Sequence, residues 1–198
     1  MPMKKKFYLL LAMSILNAAA IVSCQNKETK QVEPAASITD DSLVKRGSYI
    51  VTVNGCDHCH TPKKMGPQGP EPDMDRRFAG HPANEPLPPI DTNNVKKGWV
   101  NVNMGLTGWV GPWGTSYGAN ISSDDTGIGA WSEAQFRKAF TEGKWKGMDG
   151  NRTLLPPMPW QDFKNFTDQD IKAIFLFLKS TKPVNNIVPP VKAFADLK

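Results

Sequence analysis

The chain has 198 residues, with 24 Lys and Arg against 19 Asp and Glu, and a formal charge of +5. Three of those lysines and no acid lie in residues 1–23, so the rest of the chain carries only +2, which gives no support to nucleic-acid binding. The remainder is long enough for one compact domain with a sizeable core. Lys4, Lys5 and Lys6 open the chain, and residues 7–22 follow as an apolar run without a charged side chain. That order matches a secretory signal, although the run is also long enough to span a bilayer.

Ile21, Val22, Ser23 and Cys24 close the run and resemble the lipobox of bacterial lipoproteins. The resemblance implies cleavage after residue 23 and a lipid on Cys24, which would tether the protein to a membrane of the cell envelope. Residues 24–39 are polar and without apolar periodicity, and read as a flexible tether. The expected domain covers residues 40–198.

A first helix is expected over residues 41–53, capped by Asp40 or Asp41, with Leu43, Val44, Gly47, Ile50 and Val51 on one face. Gly47 costs about 1 kcal/mol relative to alanine inside a helix, and a close helix crossing would explain it. Residues 61–127 hold nine prolines and ten glycines and show little periodicity. They read as a long irregular insertion, with short strands near Val100 and Ile121, wrapped over a hydrophobic object. Ser132 opens a capping box with Gln135, and Gly143 stops that helix. Thr167 opens a further helix in which Ile171, Ile174, Phe175 and Leu178 recur at helical spacing up to Lys179. The last residues, broken by prolines, are expected to lie along the surface. Three main helices around one centre make the expected fold all-α.

Residues 56–60 read CDHCH, the C-x-x-C-H spacing of covalent haem c attachment. Two thiols at that spacing add to the two vinyl groups on one porphyrin edge, and the next residue, His60, lies under the ring as an axial ligand. A structural zinc site would need further ligands, and beyond the pentapeptide only His81 and carboxylates are present. A thioredoxin-like pair would sit in a βαβ setting, and a plain Cys56–Cys59 disulfide leaves His60 without a role.

GCDHCHTP after a helix containing RGSYIV resembles the class I cytochrome c family. NISSDDTGIGAWSEAQFRKAF, LLPPMPW and FTDQDIKAIFLFLKSTKPV are similar to blocks in the haem domains of cytochrome subunits of bacterial membrane-bound alcohol and gluconate dehydrogenases. The likeness covers about residues 42–189. Those subunits usually carry three haem motifs and this chain has one, which argues for an independent electron shuttle rather than a complete relay.

For the sixth ligand, Met158 stands between prolines that fix its backbone, whereas Met74, Met104 and Met148 have no such frame. The resemblance also implies Met158, since the distal methionine of the family occupies a proline-rich loop before the last helix. It implies further that His60 donates its second N–H to a backbone carbonyl after the motif, expected within residues 64–72. Tyr49, Trp131 and Trp160 are candidates for lining the pocket or for plain core packing. His58 and His81 are expected to be exposed, and His81 matters only if Met158 is not the ligand. The expected function is electron transfer between redox proteins at the cell envelope. The alternatives are an electron-accepting haem subunit of a dehydrogenase complex, and a gas sensor with five-coordinate iron.

Overall fold

The structure, a computed structural model, describes residues 39–197. The expected signal, the lipidated Cys24 and the tether up to residue 38 lie outside the described residues. The first helix, α1 (Asp40–Val53), is capped by Thr39, whose hydroxyl oxygen accepts from the Ser42 amide at 3.2 Å. The cap is therefore one residue earlier than Asp40. Asp40 and Asp41 instead occupy the first turn, where negative charge suits the helix dipole.

Helix α2 (Cys56–His60) follows after two residues. The chain then forms strands β1 (Lys63–Gly66) and β2 (Gly69–Pro72), helix α3 (Thr92–Lys96), and strands β3 (Asn101–Val102), β4 (Gly108–Gly111) and β5 (Gly114–Tyr117). Helices α4 (Glu133–Glu142), α5 (Trp160–Phe163) and α6 (Asp168–Lys179) complete the main elements. β1 and β2 pair antiparallel, and β3, β4 and β5 form a second antiparallel sheet in that order.

The all-α expectation is thus wrong: the fold is mixed, with two small sheets inside the segment that read as irregular. The physical reason lies in strand length. Strands of two to four residues are too short for a period-2 pattern to emerge, and glycine and proline occupy several of their positions. A local signal does exist. Both two-residue hairpins read G-P-x-G, GPQG at residues 66–69 and GPWG at 111–114. Proline suits the second position of the turn, while Gly69 and Gly114 adopt positive φ angles of 117° and 94°. Ile121, where a strand was expected, lies in none.

The core joins Ile50 and Val51 of α1 to Phe136 of α4 and to Ile171, Ile174, Phe175, Phe177 and Leu178 of α6, with Phe78 and Ile128 from the intervening loops. α1 and α6 cross at Gly47. A Cβ there would lie 2.0 Å from the Ala173 carbonyl oxygen and 2.8 Å from Phe177 Cβ. Gly47 therefore meets Ala173 and Phe177. A Gly47→Ala substitution on a free helix would stabilise by about 1 kcal/mol. Here it should destabilise by about 1–3 kcal/mol, because the backbones must part. A fall in the midpoint of guanidinium unfolding checks the sign.

The C-terminal tail is more than a surface appendage. The Thr115 amide donates to the Lys192 carbonyl at 2.9 Å, and the Lys192 amide donates to the Thr115 hydroxyl at 2.7 Å, so the tail covers the free edge of β5. Asn186 Nδ2 donates to the carbonyls of Ala79 (2.7 Å) and His81 (2.9 Å), and Asn120 Nδ2 to that of Val184 (2.8 Å). The tail thereby locks the insertion onto the helical core.

Candidate functional site

Helix α2 carries three of the expected site residues. Cys56 and Cys59, one helical turn apart, are free thiols and partly buried, and His60 follows directly. Burial pushes the Cys56 thiol up to about 11, with the negative charge of Asp57 adding to it, so the sulfur is protonated at neutral pH. The Cys59 thiol is also raised by burial.

So short a helix needs fastening, and charged groups supply it. Asp57, between the cysteines, takes a two-point contact from Arg77: Nε to Oδ1 at 2.9 Å and Nη2 to Oδ2 at 2.7 Å. The Thr61 hydroxyl donates to the same carboxylate at 2.7 Å. Burial opposes ionisation of Asp57, but Arg77, Thr61 and Lys63 outweigh it and hold the carboxyl below its usual range. The Arg77 guanidinium also lies over the Phe78 ring, 4.4 Å from its centre, and so ties α2 to the core. At the other end, Lys63 Nζ donates to the carbonyls of Asp57 (3.2 Å), His58 (3.0 Å) and Thr61 (2.6 Å), neutralising the helix C-terminus.

His60 is positioned from far along the chain. Its Nδ1 lies 2.8 Å from the Ala119 carbonyl oxygen, 59 residues away and not in residues 64–72 as expected. A carbonyl only accepts, so Nδ1 carries the proton and Nε2 keeps its lone pair. Burial lowers the basicity of the ring, against the opposing pull of Ala119 and Asp57, and keeps the imidazole neutral at pH 7. Such a ring is prepared to bind a metal through Nε2. The His60 carbonyl accepts from the Gly80 amide at 2.8 Å. Gly118 leaves no room for a side chain beside α2, since a Cβ on it would fall 2.0 Å from the Cys59 carbonyl oxygen.

Met158 is partly buried, in the proline-framed loop that precedes α5. That loop is held to the sheet by Ser116 on β5, whose hydroxyl donates to the Pro156 carbonyl at 2.5 Å and accepts from Trp113 Nε1 at 3.1 Å. The strand holding the Met158 loop thus continues directly into the segment holding His60. Sequence reasoning missed Arg77, Ser116 and Ala119. Only Lys63, a cation just past a helix end, carries a signal that could have found it.

Several secondary expectations change. His81 is fully buried and both ring nitrogens are engaged, Nδ1 accepting from the Thr107 hydroxyl (2.9 Å) and Nε2 donating to the Glu85 carbonyl (2.8 Å). It is a structural histidine and no longer a reserve ligand. Tyr49 is 62 % exposed, so it is not a core-packing residue. Trp160 packs on Gly143, and Trp131 packs, partly buried, against the core. His58 is exposed, as expected. Among the described residues no cluster of three or more His, Cys, Asp or Glu side chains is placed to hold a metal ion.

The residues present fit a covalently held haem: two free thiols one turn apart, a neutral imidazole with its lone pair on Nε2, and a thioether on a fixed loop. Comparison with known proteins points the same way. The chain is 43 % identical over 157 residues to one of the subunits of the nicotinate dehydrogenase of Pseudomonas putida, covering 79 % of this chain and 10 % of that protein. It is 33 % identical over 147 residues to the gluconate 2-dehydrogenase cytochrome c subunit of Pantoea cypripedii, covering 73 % of this chain and 25 % of its relative. Over 151 residues it is 28 % identical to the cytochrome c subunit of the quinone alcohol dehydrogenase of Gluconobacter oxydans, covering 75 % of this chain and 24 % of its relative. The chain therefore spans between about a tenth and a quarter of the length of these curated relatives. No family model matches it.

Proposed function

On the premise that this chain is a homologue of the cytochrome c subunits of bacterial dehydrogenases, we propose that it is a monohaem electron carrier of the cell envelope. In this reading Cys56 and Cys59 would hold one haem c through thioethers, and His60 and Met158 would bind its iron. When bound, haem iron would supply one-electron chemistry. The protein's residues bind and orient. Ala119 sets the tautomer and angle of His60, Arg77 and Lys63 hold α2, and the prolines around Met158 limit the motion of its thioether. Two protein ligands would leave the iron no open position for substrate, which fits a chain that carries electrons rather than transforming an organic molecule.

The observation that carries the proposal is the His60–Ala119 hydrogen bond beside two free cysteines one turn away. It turns a five-residue motif into a ligand set with a defined donor atom.

A dehydrogenase is proposed as the electron donor, because the relatives are named as subunits of dehydrogenases. Lipidation at Cys24 is proposed as the means of attachment to a membrane. Among the described residues no helix is long and apolar enough to cross one.

Protein purified from cell envelopes tests these points together. Mass spectrometry should find a chain beginning at Cys24 with added acyl mass and a single haem. The holoprotein should exchange electrons rapidly with one-electron dyes and oxidise no alcohol, gluconate or nicotinate on its own. Substrate oxidation by the isolated chain would overturn the carrier reading, and ready binding of carbon monoxide by ferrous protein would favour a gas sensor. An intact segment 4–22 would overturn lipidation alone.

A further inference from the structure

We propose that Ser116 is a positioning residue for the distal ligand, its hydroxyl fixing through the Pro156 carbonyl where the loop bearing Met158 stands. The inference rests on the reading of Met158 as an axial ligand and deepens it.

Pro156, Pro157 and Pro159 restrict the internal torsions of the loop, so its shape around Met158 is narrow. Prolines donate no hydrogen bonds, however, and restricted torsions do not set the loop's place relative to the rest of the molecule. Placement needs an external contact, and Ser116 makes one. It is only 5 % exposed and sits on β5, which is paired with β4 on one side and covered by the C-terminal tail on the other. Its hydroxyl has a defined polarity. The Trp113 indole N–H can only donate to it, which directs the hydroxyl proton toward the Pro156 carbonyl.

Three residues further on, the Ala119 carbonyl accepts a hydrogen bond from His60 Nδ1. One short stretch, residues 116–119, therefore anchors both sides of the proposed haem. Any shift of β5 moves the two ligand anchors together, which preserves their separation. A thioether is a weak iron ligand and competes with water and small anions, so the placement of its loop decides how often the iron is open.

The experiment compares wild type with Ser116→Ala, Ser116→Thr, Trp113→Phe and Met158→Ala, each as holoprotein in the ferric state. The readouts are the azide dissociation constant, the weak far-red absorption of a methionine-ligated iron, and the guanidinium unfolding midpoint. Loss of this part-buried hydrogen bond should tighten azide binding in Ser116→Ala by about fivefold and weaken the far-red band. Ser116→Thr, which keeps the hydroxyl, should restore wild-type azide binding. Trp113→Phe, which removes the indole donor to Ser116 but keeps an aromatic ring, should fall between.

Wild-type azide affinity in Ser116→Ala overturns the proposal even if the unfolding midpoint drops, since that pattern marks a purely structural contact. Should Ser116→Ala fail to fold, Trp113→Phe decides: tighter azide binding supports the positioning role and unchanged binding overturns it. Met158→Ala separates the two levels. If it matches wild type in azide affinity and band, the ligand assignment itself is wrong, and the role of Ser116 falls with it.

Discussion

Replacing Cys56 and Cys59 together by alanine should abolish covalent haem retention, from a full haem-stained band after denaturing electrophoresis to none. The chemistry requires each S–H bond to add across a vinyl C=C, sulfur bonding one carbon and the proton ending on the other, so no oxidant is consumed. Alanine has no group to take sulfur's place. The helix itself should survive, because alanine is the best helix former and the Arg77, Thr61 and Lys63 contacts run to Asp57 and to backbone carbonyls. His60 keeps its bond to Ala119 for the same reason. The double variant should therefore still bind haem reversibly through His60 and lose it on denaturation. Haem extracted from the wild type by acid–acetone would refute the covalent attachment.

Met158→Ala should have the second largest effect, on the iron rather than on attachment. Loss of a soft thioether removes a ligand that favours ferrous iron, so the reduction potential should fall by roughly 0.1 V or more, a fraction of the range over which axial ligands set haem potentials. The far-red band should vanish, and cyanide or azide should bind more tightly than to the wild type. Redox titration and absorption spectra check both. Unchanged potential and spectrum would move the assignment to another residue. His81 is no longer available, since both its nitrogens are engaged in the interior. Met148, 51 % exposed in the turn after α4, would be the next to substitute.

The helices and the attachment motif were legible because the forces that make them are local. Ser132 and Gln135 form their reciprocal cap within one turn, Gly143 closes α4 in the left-handed conformation, and Thr167 caps α6 through the Asp170 amide. Each of these interactions spans six residues or fewer, and residue chemistry at fixed spacing is enough to read it. Gly47 was legible in kind, as a close crossing, though its partners Ala173 and Phe177 were not.

What the tertiary structure alone decided is how the segment from Thr61 to Gly127 is used. Read by periodicity it was an irregular wrap, and two short sheets made the all-α expectation fail. Strand β5 places Ser116 against Pro156 across 40 residues, and the segment just after it places Ala119 against His60 across 59. A hydrogen bond over such a separation leaves no trace in spacing or composition, because any exposed backbone carbonyl along the chain is chemically equivalent until the chain has folded. The residue types in CDHCH and LLPPMPW determined which atoms could serve as ligands. Only the packing of β5 between β4 and the C-terminal tail decided which nitrogen of His60 keeps its lone pair and what holds the Met158 loop.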